Sequence, residues 1–172
     1  MKLSLVVPCF NEAENVELFR NTVMESFAGC DYEYEIVFVD DGSTDATAHE
    51  LRKLCKDQKC NAKAVILSRN FGKEAGMYAG LQHATGDYVV IIDADLQDPP
   101  HLMDEMYKTL IETDYDCVAS CRVDRKGESK IRSAFAHMFL FQSASDCLYC
   151  SQSNLHRQSL LLFVRSVRTG RR

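Results

Sequence analysis

The feature that most constrains this chain is a unit repeated along it. A short apolar run ends in a cluster of carboxylates and amides, and a stretch with helical spacing follows. Leu3-Ser-Leu-Val-Val7 is stopped by Pro8-Cys-Phe-Asn-Glu12, and Glu35-Ile-Val-Phe-Val39 ends in Asp40-Asp-Gly-Ser-Thr-Asp45. Ala64-Val-Ile-Leu67 leads into Ser68-Arg-Asn-Phe-Gly72, and Asp87-Tyr-Val-Val-Ile-Ile92 into Asp93-Ala-Asp-Leu-Gln97. Tyr115-Asp-Cys-Val-Ala-Ser120 precedes Cys121-Arg122. Apolar runs without alternation are strands buried on both faces.

The segments between them read as helices. From Ala13 to Ala28, Val16, Phe19, Val23 and Phe27 recur at steps of three and four. A second helix runs from about Asp45 to Lys56, with Leu51 and Leu54 on its apolar side. A third ends at Ala84 and carries Gly76, Gly80 and Ala84 on one small-residue face, which suits close packing on a neighbour. Asp98-Pro-Pro100 opens a fourth, through Thr113, because proline suits a first turn. Alternating strands and helices predict an α/β fold whose mostly parallel sheet has helices on both faces. The strand at 87–92 is the most apolar and is expected at the centre.

Ligands of such sheets bind beyond the carboxyl ends of the strands. Three of those ends carry carboxylates here, which stability alone does not call for. In extended chain, Asp93 and Asp95 would leave the same face. Two carboxylates side by side repel unless a proton or cation lies between them. No lysine adjoins them in sequence, so a divalent metal is the expected partner, and hard oxygen ligands favour Mg²⁺ or Mn²⁺. Gln97 can add an amide oxygen. The competing role, capping the next helix, falls better to Asp98. In Asp41-Gly-Ser-Thr-Asp45, Ser43, Thr44 or Asp45 can cap a helix. Capping does not explain Asp40 beside Asp41, and a carboxylate there can accept from a base N–H or a ribose hydroxyl. No G-x-G-x-x-G or Walker lysine loop is present, so dinucleotide and P-loop sites are not indicated.

Val6-Val-Pro-Cys-Phe-Asn-Glu12, Val39-Asp-Asp-Gly-Ser-Thr-Asp45, Ser68-Arg-Asn-Phe-Gly-Lys73 and Asp93-Ala-Asp-Leu-Gln-Asp-Pro-Pro100 together resemble family 2 glycosyltransferases. The branch they resemble holds dolichol-phosphate mannosyltransferases and bactoprenol (polyprenyl-phosphate) glucosyltransferases, and the likeness covers roughly residues 1–140. It implies a GT-A fold and inverting transfer from a nucleotide sugar to a polyprenyl phosphate. It also implies that Pro8, Phe10, Glu12, Asp41 and Asp93 surround the donor and that Asp93, Asp95 and Gln97 hold the metal. Arg122, Arg125 and Arg132 match a basic loop for phosphates. An ionised phosphate acceptor needs little or no general base, so none is assigned; His83 and His101 are candidates by residue type alone. Alternatives are a family 2 enzyme with a saccharide acceptor, or a domain that binds donor without turnover. A signalling receiver would need an acidic pair after its first strand, where Asn11 and Glu12 stand.

Composition bounds the rest. The chain has 172 residues, 46% of them apolar, enough for one domain with a sizeable core. Neither a signal peptide nor a membrane-spanning run is apparent, so a cytoplasmic protein at the inner face of the membrane is expected. Its eight cysteines then read as reduced thiols, and Cys147–Cys150 lacks the second ligand pair of a zinc site. Residues 1–121 hold 10 basic and 22 acidic side chains, whereas residues 122–172 hold 10 and 3. An acidic body with a basic end suggests an anionic partner near the junction. The expected partners are a nucleotide sugar, a polyprenyl phosphate and the membrane surface, and not nucleic acid; oligomeric state is left open. The likeness stops near Phe139. Residues 1–142 are therefore read as the nucleotide-sugar-binding domain and residues 143–172 as an atypical basic, unstructured tail. That stretch holds six serines, five arginines and one acidic residue, as a truncated or frameshifted end would.

Overall fold

The computed structural model describes residues 1–57, 60–96, 100–112, 117–122, 150–153 and 162–165. In chain order the elements are β1 (Lys2–Cys9), α1 (Asn15–Ser26), β2 (Glu33–Asp40), α2 (Thr47–Leu54), β3 (Ala62–Ile66), α3 (Lys73–His83) and β4 (Tyr88–Ile91). They continue with α4 (Pro100–Glu112), β5 (Cys117–Arg122), β6 (Cys150–Ser153) and β7 (Leu162–Arg165). One sheet runs β3-β2-β1-β4-β7-β5-β6. Strands β1 to β4 form a continuous parallel block. Strand β7 then enters antiparallel between β4 and β5, and β6 lies parallel on the outer side of β5. The apolar run at 160–164 supplies much of β7, a place in the sheet that its composition did not suggest.

Both faces of the parallel block are covered. Leu5, Val7, Ile36, Phe38 and Val90 point into a core closed by Val16, Phe19 and Val23 of α1, Leu51 and Leu54 of α2, and Met103, Met106 and Leu110 of α4. The alternate residues Val6, Val37, Val39, Val89 and Ile91 face Met77 and Ala79 of α3. This explains the small-residue face of α3. A Cβ on Gly80 would lie 2.3 Å from Val6 Cγ1, so the helix backbone rests directly on β1.

Strand β1 runs through Pro8 to Cys9 and does not stop before the proline. Val6 accepts from the Ile92 amide on the β4 side. Pro8, two residues on, faces the same way, but β4 pairing ends at Val6 with Ile91. The missing N–H of proline therefore falls where no partner waits.

Pairing β1 with β2 on one side and β4 on the other makes a topological switch point, where open α/β sheets place their ligands. The chain leaves the sheet there after Cys9, and Phe10 and Glu12 line one pocket with Asp93.

Candidate functional site

The loops after β1 and β2 are stitched to each other. Asn11, at φ 56°, donates its amide to Ser43 Oγ at 2.9 Å and accepts from the Thr44 amide at 2.9 Å. Asparagine is among the few non-glycine residues that hold a left-handed conformation readily. The Glu12 amide donates to Thr47 Oγ1 at 2.8 Å. Ser43 and Thr44 thus serve Asn11 and leave the helix start to Asp45, which accepts from the Thr47 amide at 2.9 Å and from its hydroxyl at 2.5 Å. The Thr47 hydroxyl bond is the main reason the Asp45 carboxyl titrates below its ordinary range.

Asp41 ties the third loop to the second. It is 4% exposed, and its two oxygens accept from the amides of Phe71 at 2.8 Å and Gly72 at 2.9 Å. Gly42 makes the crossing possible: at φ 67°, it lies so close that a Cβ would meet the Arg69 carbonyl carbon at 2.2 Å. Arg69 in turn stacks on Phe71, with its guanidinium carbon 4.5 Å from the ring centre.

The fourth strand end differs from the sequence expectation in two ways. Strand β4 stops at Ile91, and Ala94 and Asp95 form a turn, with Leu96 at φ 55°. The two aspartates are therefore placed by a turn and not by the alternation of an extended chain. A lysine also reaches them from elsewhere. Lys73, the first residue of α3, sets its Nζ 2.7 Å from Asp93 Oδ1 and 2.8 Å from Oδ2. A contact across 20 residues is invisible to a search for neighbouring lysines.

Pro8, Phe10, Glu12, Asp41, Asp93 and Asp95 all line one open pocket of about 290 Å³. It also takes in Asn70 and Lys73, which sequence reasoning gave no role. The signal for both was their place in the Arg69-Asn-Phe-Gly-Lys73 strand end. Phe10 forms an exposed rim, 45% accessible, and Glu12 is held by Asn15 Nδ2 at 2.5 Å. Cys9 lies at the floor, where burial, and then the charges of Glu12, Asp40 and Asp93, push its thiol far above its ordinary pKa. It is an inert thiol there and not a nucleophile. His83 bonds the Ala79 carbonyl at 2.8 Å, at the end of α3 away from the pocket. Arg122 closes β5; Gln97, Arg125 and Arg132 lie outside the described residues.

The donor chemistry suits a hard divalent cation. Asp93 and Asp95 offer carboxylate oxygens to one pocket, and no larger group of metal-ligating side chains occurs among the described residues. A cation held there would draw its other oxygens from water and a diphosphate, as Mg²⁺ and Mn²⁺ commonly do.

A mostly parallel sheet wrapped by helices, with an acidic pocket at its switch point, is the GT-A arrangement of nucleotide-sugar enzymes. The family model for glycosyl transferase family 2 matches residues 4–167, and the chain belongs to that family. A prophage bactoprenol glucosyl transferase homolog of Escherichia coli K12 is 41% identical over 143 residues, covering 81% of this chain and 45% of that protein. Staphylococcus aureus TarS 1–349, solved with UDP-GlcNAc, is similar at TM-score 0.55 and 26% identity, over 76% of this chain and 37% of that one. The mannosyltransferase PcManGT of Pyrobaculum calidifontis, solved with GDP-Man and Mn²⁺, shares the fold at TM-score 0.64 and 24% identity, over 95% of this chain and 44% of that one. The chain thus spans less than half the length of each of these relatives.

Proposed function

We propose that this protein transfers a sugar, with inversion, from a nucleotide-diphosphate sugar of the UDP-glucose or GDP-mannose type to a polyprenyl phosphate at the inner face of the membrane. The observation that carries this reading is the convergence of Asp41, Asp93, Asp95 and Lys73 on one pocket at the strand ends. The bactoprenol glucosyl transferase homolog supports the acceptor class, and the neighbour solved with GDP-Man and Mn²⁺ supports a divalent metal. Among the described residues no helix is long and apolar enough to cross a membrane.

The chemistry follows from the residues. In a single displacement, an oxygen of the acceptor phosphate attacks the anomeric carbon, and the bond from that carbon to the leaving diphosphate oxygen breaks. Negative charge grows on the departing nucleoside diphosphate, and fixed positive groups lower the barrier by meeting it. Lys73 and the amino end of α3 point positive charge at the pocket. Asp93, Asp95 and Gln97 would hold Mg²⁺ or Mn²⁺, which supplies Lewis-acid stabilisation of the same leaving group. Pro8, Phe10, Glu12 and Asp41 would frame the nucleoside, and Arg122, Arg125 and Arg132 would receive the acceptor phosphate. That phosphate is already anionic at neutral pH, so no side chain is required to remove a proton.

Calorimetric titration with UDP-glucose and GDP-mannose, each with and without Mn²⁺, tests the reading. Metal-dependent binding of one donor is expected. A folded protein that binds neither would overturn it.

A further inference from the structure

Lys73 straddles Asp93 in the manner of a small cation. Its ammonium lies 2.7 Å and 2.8 Å from the two oxygens of one carboxylate. The Asp93 side chain is 19% exposed, and that of Lys73 is 46% exposed. The carboxylate is therefore fixed at the pocket wall, while the lysine is a long stem with an accessible end. While it holds both oxygens of Asp93, the ammonium competes with a divalent ion for that carboxylate, because like charges at that spacing repel.

We propose that Lys73 is a built-in counter-cation that makes metal entry depend on the donor. With the pocket empty of nucleotide, Lys73 neutralises Asp93 and weakens its hold on a free divalent ion. A nucleoside diphosphate brings both the metal and an anion to the pocket. The lysine then turns from Asp93 to the diphosphate, and Asp93 turns to the metal. The exchange leaves no charge unpaired, and four rotatable bonds let the Nζ make it without moving α3. Gly72, at φ 99°, sets where α3 begins and so where the lysine is rooted. The inference rests on the nucleotide-sugar reading of the pocket. It adds to that reading an order of events: metal and nucleotide bind together, and metal alone binds poorly.

The test uses the full chain and two variants, Lys73→Met and Lys73→Arg. Free Mn²⁺ is followed by its paramagnetic resonance signal, and UDP and GDP binding in the presence of Mn²⁺ by calorimetry. Lys73→Met is expected to bind Mn²⁺ alone roughly tenfold more tightly than the parent and the nucleoside diphosphate with Mn²⁺ roughly tenfold more weakly. Opposite changes from one substitution are not what loss of structure produces. Lys73→Arg keeps the charge and should keep the weak binding of metal alone. Equal Mn²⁺ affinity in parent and Lys73→Met would overturn the counter-cation role. Tighter metal binding with unchanged nucleotide binding would overturn the exchange. A parent that binds neither nucleotide would instead overturn the donor reading itself, while the comparison of metal alone would still report on Lys73 and Asp93.

Discussion

The Gly72 amide donates to Asp41 Oδ2 at 2.9 Å, and this bond fixes the entry of α3 against the end of β2. With the Phe71 amide on Oδ1, Asp41 spends both oxygens on backbone. It therefore builds the pocket wall in addition to lining the pocket.

Asp41→Asn should separate these tasks. An amide nitrogen cannot accept, so either the Phe71 amide loses its acceptor or the Gly72 amide keeps only Asn70 Oδ1, at 3.1 Å. A hydrogen bond to a charged acceptor contributes about 1.5–3 kcal/mol. Urea unfolding should show a loss of that size, together with weaker nucleotide binding as the 70–72 loop loosens. Unchanged stability would mean that the loop is held elsewhere.

At the amino ends of the strands, Glu35 predicts a pH dependence unconnected with catalysis. It is 4% exposed and accepts from Ser4 Oγ at 2.6 Å, the Thr85 amide at 2.7 Å and Lys2 Nζ at 2.8 Å. Burial alone would raise its carboxyl, but these donors outweigh it and pull the pKa from 4.5 down to about 2. A depressed pKa contributes stability that is whole above the unfolded value and is lost as pH falls through the folded one. The window is thus pH 4.5 to about 2, and the loss on the order of 3 kcal/mol. Glu35→Gln should flatten that part of a pH-stability curve and lower the plateau above it.

Gly76 and Gly80 lie on one face of α3 yet should respond oppositely to alanine. At Gly80 the new methyl would meet Val6 Cγ1 at 2.3 Å and Val39 Cγ2 at 3.1 Å, inside a packed layer. Overpacking of this kind costs about 1–3 kcal/mol. At Gly76 the nearest atoms, on Pro8 and Val39, are 3.9 Å away. Alanine there should be neutral or stabilising by up to about 1 kcal/mol through helix propensity. Thermal melts of the two variants would reveal the contrast, and equal losses would refute it.

The parallel block was legible because β1, β2 and β4 are buried on both faces, and Val6 and Val7 can serve opposite layers only in such a sheet. The pocket was legible because the strand ends carry carboxylates that a core would reject. Other features were not. Strand β7 is four residues long and antiparallel, set in a basic, serine-rich stretch whose periodicity says nothing of where it pairs. The Lys73 contact is not legible in the sequence, because its partner is 20 residues away and the two meet only once α3 has packed on β1. Ser43 and Thr44 looked like caps because a hydroxyl before a helix normally is one. Their actual partner, Asn11, lies more than 30 residues back.

If Asp95 serves the proposed metal site, its replacement separates holding a metal from holding the fold. Its side chain is exposed, on the turn after β4, and the adjoining Ala94 is only 2% exposed. The backbone of the turn is therefore anchored by its neighbour. Asp95→Ala should leave the melting temperature within a few degrees of the parent, since surface substitutions usually change stability by no more than about 0.5 kcal/mol. Binding of the nucleotide sugar should lose its dependence on Mn²⁺, because a carboxylate oxygen is a hard ligand that no nearby apolar group replaces. Asp93→Ala should have the same effect on metal dependence and also release Lys73, so residual metal-free nucleotide binding should be stronger in Asp93→Ala than in Asp95→Ala. Calorimetry of both variants with and without Mn²⁺ reads all of these at once. Donor affinity in Asp95→Ala that still rises on adding Mn²⁺, as in the parent, would remove Asp95 from the metal site.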